Sequence, residues 1–170
     1  MPFRALRPAH AALAAGLAAA ATLATAAGAQ VLTERNMPLA IAQEIAQATV
    51  AACAAKNFNV AVTVVDRAGL VRAMLRADRA GPHTIEASRA KAFTAASARN
   101  ATSAIAETAE RNPAARHLAA IDGFLLLGGG VPVKVGDEVI GAVGVGGAPG
   151  GHLDEECANA GIEAVKAKLR

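Results

Sequence analysis

The chain has no tryptophan, no tyrosine and only four phenylalanines in 170 residues. Single-stranded nucleic acid is held largely by stacking bases on aromatic rings, so a stacking platform of that kind is excluded. Charge argues the same way. The formal excess is +3, yet Arg4 and Arg7 belong to an N-terminal stretch that reads as removable, and without them 15 basic residues face 14 acidic ones. A balance of +1 is no basic footprint, and the sequence is read as having no nucleic-acid partner.

Cysteine is equally scarce. Cys53 and Cys157 are far apart and show no C-x-x-C spacing, which excludes the usual zinc and dithiol motifs. They are either a bridge or two small buried thiols. Only one long apolar run exists, over residues 11–26, and it is built mostly of alanine. Arg4 and Arg7 precede it and Ala27-Gly28-Ala29 follows, the pattern of a secretory signal peptide cleaved after Ala29. A membrane anchor would need about 20 strongly apolar residues, and no stop-transfer charges follow the run. The expectation is a leader over 1–29 and one domain over 30–170, periplasmic or secreted, with no stable membrane span after cleavage. That length suffices for a single core.

Two enzyme signatures are also missing. Gly144-x-Gly146-Gly147-x-x-Gly150 follows a predicted strand, but a dinucleotide fingerprint opens a βαβ unit and too little chain remains for one. The same loop contains no serine, so a strand-turn-helix nucleophile elbow is absent as well.

What is present is a clear order of elements. Thr33 or Asn36 is placed to cap a first helix with Pro38 in its first turn. Ala42, Ile45, Ala46, Thr49 and Cys53 then share one helical face. A β-branched run over 60–65, the turn Asp66-Arg67-Ala68-Gly69 and a second strand over 70–77 make a hairpin, with Val71, Ala73, Leu75 and Ala77 as the apolar face of the second strand. Gly81-Pro82 starts a helix running to about Arg99, and a shorter helix over 102–111 stops at Asn112-Pro113. Residues 124–127 form a short apolar run before three glycines and read as a buried strand. Valines at 131, 133 and 135 and at 139, 143 and 145, joined at Gly136-Asp137-Glu138, make another hairpin. Asp154 opens the last helix, with Cys157, Gly161, Ala164 and Val165 on one face. Hairpins dominate and there is a single long helical crossover, so the class is α+β with a mainly antiparallel sheet.

These residues carry a family resemblance. Val64-Val65-Asp66-x-x-Gly69, Arg76-x-Asp78, Ala90-Lys91-Ala92-x-Thr94-Ala95, Gly128-Gly129-Gly130-x-Pro132, the 139–145 strand, Asp154-Glu155 and Ala158-x-Ala160-Gly161 occur in the order seen in the GlcG/HbpS family of small heme-binding proteins, also called the haem-degrading domain family, which the chain resembles. The resemblance implies a profilin-like fold with a five-stranded antiparallel sheet flanked by helices, assembly into homo-oligomers, and heme or a related iron or tetrapyrrole ligand. It also implies that the first and last long helices pack antiparallel on one sheet face, bringing Cys53 and Cys157 within bonding reach. After Val145 the chain departs from the commoner pattern: Gly146-Gly147-Ala148-Pro149-Gly150-Gly151-His152 stands where a Ser-Gly turn is usual.

A heme requires an axial donor, an apolar slot and cations for its propionates. His83, at the second position of the Pro82 helix, is the candidate donor, because the positive helix end favours a neutral imidazole with a free lone pair. The alternative is a helix-start histidine bonded to backbone. Arg76, Arg79, Arg89 and Lys91 are candidate propionate partners, or else a solvated charged face. His117 has no evident companion. His152 stands beside Asp154-Glu155-Glu156, acids that helix capping and the dipole already explain. Three functions follow from this reading: a binding protein for heme or a related tetrapyrrole, an enzyme that degrades heme or acts on a small metabolite, and a structural or sensory oligomer without a cofactor. The first is preferred because the family resemblance implies it; no clear acid-base pair favours the second.

Overall fold

The computed structural model describes residues 30–170. The proposed leader over 1–29 lies outside the described residues. Residues from Glu34 to Arg170 form one compact unit. In chain order it contains α1 (Leu39–Ala54), β1 (Ala61–Asp66), β2 (Val71–Arg76), α2 (Thr84–Ala98), α3 (Thr102–Arg111), a 3-10 segment (Pro113–Ala120), β3 (Gly130–Val135), β4 (Glu138–Gly146), α4 (Gly151–Val165) and a terminal 3-10 turn (Lys166–Lys168). Among the described residues no helix is long and apolar enough to cross a membrane.

The sheet has four strands in the order β2-β1-β4-β3, every neighbour antiparallel. The class is therefore α+β as expected, but the sheet has four strands where five were expected. The missing strand is the 124–127 run. Its Leu125 N–H donates to the Thr94 hydroxyl at 2.8 Å, and the Phe124 ring meets Phe93 edge-on at 6.1 Å. An apolar run flanked by glycines is thus held against α2 by a side-chain acceptor and a ring, and joins no sheet ladder.

All six residues of β1 are buried, because helices cover both faces of the sheet. On one face Val62 and Val64 of β1 and Val143 and Val145 of β4 meet α1 and α4. On the other Val65 and Ala142 meet Ala92, Ala95 and Ala96 of α2. The approach on this second face is close: a Cβ on Gly144 would lie 2.1 Å from the Ser88 carbonyl oxygen. Small residues on α2 and β4 replace interdigitating side chains by backbone contact.

Strict alternation along β4 was expected to group Val139 with Val143 and Val145. Instead Val133 pairs with Gly141 and Lys134 with Val139, leaving Ile140 as the extra residue of a bulge. One inserted residue reverses the face parity, and it is Ile140 that joins the α1/α4 core. Strand β2 is an edge strand, and its expected apolar face is largely open, with Val71 and Leu75 exposed.

The α1 face is as the spacing predicts: Ala42, Ile45, Ala46, Thr49 and Cys53 are its buried residues. Its start differs. Pro38 is the N-cap and no side chain caps the helix; Asn36 Oδ1 accepts instead from the N–H groups of Met37 and Arg67, both at 2.9 Å. Helices α1 and α4 pack against each other, and Cys53 and Cys157 are joined by a disulfide with Cα atoms 5.4 Å apart. The bond spans 104 residues, a loop whose closure stabilises a fold by roughly 4 to 5 kcal/mol in the chain-entropy model.

Candidate functional site

One end of the sheet carries a cleft of about 530 Å³. Four pieces of chain converge there: residues 57–59 after α1, the start of α2 with the preceding Arg79 and Gly81, Leu127, and the glycine loop 146–151 that leads into α4. The volume falls in the range of small-molecule sites, about 300 to 1,000 Å³.

The local sequence explains the convergence. Asn57 adopts a left-handed conformation (φ 63°), which ends α1 and turns Phe58 and Asn59 toward the cleft. Gly147 has φ +129°, and a Cβ there would lie 2.6 Å from the Asn59 carbonyl oxygen, so only glycine lets the two walls touch. Proline 82 and His83 form a turn and α2 begins at Thr84, which makes His83 the N-cap and not the second helical residue. Its ring is exposed and lies over Gly81, where a Cβ would come within 2.8 Å of Cε1.

The floor of the cleft is a buried ion pair. Lys91 Nζ donates to Asp154 Oδ2 at 2.8 Å and to the Val145 carbonyl at 2.9 Å. Asp154 Oδ1 accepts from the Ala148 N–H at 3.0 Å. Burial pushes the Asp154 carboxyl up from its ordinary value, outweighing the hydrogen bond and charge of Lys91 and the Ala148 N–H, which pull it down. The pair is anchored in both β4 and the glycine loop, so it fixes that loop over the start of α2.

The residues singled out from sequence separate here. His83, Arg79 and Lys91 line the cleft. Arg76 and Arg89 do not: Arg76 Nε donates to the Ala80 carbonyl at 3.0 Å, and Arg89 pairs with Glu86 at 2.8 Å on α2. Lys91 is not a free cation, since Asp154 neutralises it. His152 lies against Gly150, and the three neighbouring acids are each engaged, Asp154 by Lys91, Glu155 by the N–H and hydroxyl of Ser103, and Glu156 by Lys56. His117 falls in the 3-10 segment away from the cleft. Among the described residues no group of three or more His, Cys, Asp or Glu is arranged to hold a metal ion.

Asp154 as the partner of Lys91, and the 57–59 wall, were not found from sequence. Half of the first was visible: Lys91 shares the helical face of Ser88, Ala92 and Ala95, so its side chain points inward. Its partner lies 63 residues away, and no local pattern announces it. Chemically, the cleft presents apolar walls from Phe58, Ala87, Leu127 and Pro149, an accessible imidazole and the guanidinium of Arg79, which pairs with no acid among the described residues, above a neutralised floor.

The fold and cleft define a small three-layer α+β domain whose ligand-sized opening lies where two helices begin. A family model described as "Haem degrading protein HbpS-like" matches residues 37–163, and the chain belongs to that family. The protein GlcG of Escherichia coli K12 is 36% identical over 109 residues, covering 62% of this chain and 80% of its own. The crystal structure of a double mutant of Streptomyces reticuli HbpS superposes with a TM-score of 0.76 at 35% identity, covering 93% of this chain and 99% of the other. A complex of PduOC with heme shares the fold, with a TM-score of 0.68 at 22% identity over 76% of this chain and 94% of that one.

Proposed function

We propose that this protein binds heme or a related tetrapyrrole in the cleft between the start of α2 and the glycine loop. The observation that carries the reading is the exposed imidazole of His83 on the rim of a partly apolar cleft, with no hydrogen bond to its ring among the described residues. The residues fit the ligand. A flat macrocycle needs apolar walls, which Phe58, Ala87, Leu127 and Pro149 would supply, and a nitrogen donor to its metal, which His83 would supply. Arg79 is the cation for a propionate. Arg76 and Arg89 are committed elsewhere, and Lys91 acts through Asp154 as a brace for the loop. When bound, the iron centre supplies ligand exchange and redox chemistry; the chain's part is to orient the macrocycle and exclude water from one face. Membership in the HbpS-like family and the heme complex of a protein with this fold support the reading.

The same proposal places the protein outside the cytoplasm as a homo-oligomer. The leader pattern over 1–29 supports export, and the Cys53–Cys157 bond suits an oxidising compartment. Self-association is supported by Leu70, Val71 and Leu75, which stand exposed on and beside an unpaired strand edge. Titration of purified protein with hemin tests the ligand: the reading predicts a saturable Soret shift, and an unshifted spectrum at saturation contradicts it. Loss of the band on adding reductant and oxygen would extend binding to degradation.

A further inference from the structure

The disulfide joins α1 to α4, the helices next to two of the four pieces of chain that form the cleft, residues 57–59 and the loop 146–151. Cys53 is the penultimate residue of α1, and its carbonyl accepts from the N–H groups of Lys56 and Phe58, both at 3.0 Å. The bend that carries residues 57–59 into the cleft is therefore hung from Cys53 itself. Cys157 follows Asp154 by three residues, about one helical turn, on α4. Asp154 in turn holds the opposite wall through Ala148 and Lys91. The β1–β4 ladder ends at the pair Ala61–Gly146 and fixes the roots of both walls; beyond it two other links join them near the bond, the exposed ion pair of Lys56 with Glu156 and the close approach of Gly147 to the Asn59 backbone. An exposed ion pair constrains geometry weakly, and a backbone approach without a hydrogen bond does not hold the walls together.

We infer that the Cys53–Cys157 bond is a positioning element of the ligand cleft: intact, it holds the 57–59 and 146–151 walls at ligand-binding spacing, and without it they loosen and affinity falls. The inference rests on the reading of the cleft as the ligand site. It makes binding depend on the thiol state of the chain. A dithiol reductant supplies two electrons and two protons, the S–S bond breaks to two thiols, and the reductant closes to its own disulfide. Both cysteines are fully buried, so reduction has to pass through local opening of the α1/α4 contact. Ligand that holds the walls together opposes that opening, and by reciprocity it slows reduction.

The test compares the disulfide-bonded protein with Cys53→Ala/Cys157→Ala, well below the melting temperature of each. Cys53→Ala/Cys157→Val, which restores lost volume, serves if the first does not fold. Hydrogen exchange is measured without ligand, and affinity is measured with zinc protoporphyrin IX, whose metal the thiols do not reduce. The inference predicts faster exchange confined to 57–59 and 146–151, an unchanged β1–β2 turn, and affinity weaker by roughly tenfold through lost preorganisation. Unchanged exchange at both walls overturns it. So does loosening spread evenly through the domain, the mark of an ordinary staple. If neither form binds the porphyrin, the ligand reading fails, and the exchange pattern alone decides whether the bond positions the walls.

Discussion

Lys91 Nζ lies 2.8 Å from Asp154 Oδ2, with 2% and 3% of the two side chains exposed. Removing one partner leaves the other's charge in the interior, which costs about 3 to 5 kcal/mol in buried pairs. Asp154→Ala should therefore be among the most destabilising single changes in the chain. Lys91→Met should cost less, since burial already pushes the remaining carboxyl toward its neutral form. Lys91→Met/Asp154→Leu should recover much of the loss, with a residue from the orphaned Ala148 N–H. Urea unfolding of the four proteins decides the order; a double variant as unstable as Asp154→Ala would show that charge burial is not the cause.

The same carboxylate sets a pH dependence of unusual sign. Because burial raises the folded Asp154 above its ordinary value of 3.8, the native state keeps this proton longer than the unfolded chain does. The stability it contributes is full below 3.8 and is lost as pH rises through the folded value. Glu156 behaves oppositely. The hydrogen bond from Lys56 lowers its pKa, so its contribution is present above the ordinary value of 4.5 and is lost as pH falls through the folded one. Carboxyl carbon shifts followed by NMR should place the Asp154 midpoint above 3.8 and that of Glu156 below 4.5. An Asp154 midpoint at or below its ordinary value would contradict this account.

Gly161 and Thr49 mark where α4 meets α1. A Cβ on Gly161 would lie 1.9 Å from Thr49 Oγ1, and that hydroxyl is buried with no hydrogen-bond partner among the described residues. Gly161→Ala should destabilise by about 1 to 3 kcal/mol through overpacking. Thr49→Ala removes the obstructing oxygen, so Thr49→Ala/Gly161→Ala should be more stable than the sum of the two single effects predicts. Strict additivity in thermal unfolding would mean that the two residues do not compete for the same space.

The parts of this fold that were legible were those with a local period. The helical spacing of Ala42, Ile45, Ala46, Thr49 and Cys53 and the turn at Gly136 depend on neighbours in the chain, and each is found where its pattern puts it. Residues 124–127 misled because a short apolar run between glycines has the same composition whether it pairs in a sheet or packs on a helix; the Thr94 hydroxyl decided it, 31 residues away. The bulge at Ile140 was invisible for a related reason, since parity along a strand is set by its partner's register. At the cleft, His83 was singled out by its place at a helix start and Arg79 only by its charge near it, and both line the opening. The partner of Lys91 was not legible, because it comes from the far end of the chain.

Exposed apolar side chains at an unpaired strand edge favour association. With Leu70, Val71 and Leu75 in that position, light scattering at micromolar concentration should give a mass several times that of the chain. A monomeric mass throughout the range would remove self-association from the proposed function.

The most direct test of the central claim is the visible spectrum and affinity of the hemin complex for wild type and His83→Ala. His83 is exposed at the N-cap of α2, so its replacement should leave the fold intact, which circular dichroism checks. The account predicts a displaced Soret maximum and weaker binding in His83→Ala, as expected for loss of an axial nitrogen. Identical spectra and affinities in the two proteins would contradict it and move the ligand away from His83.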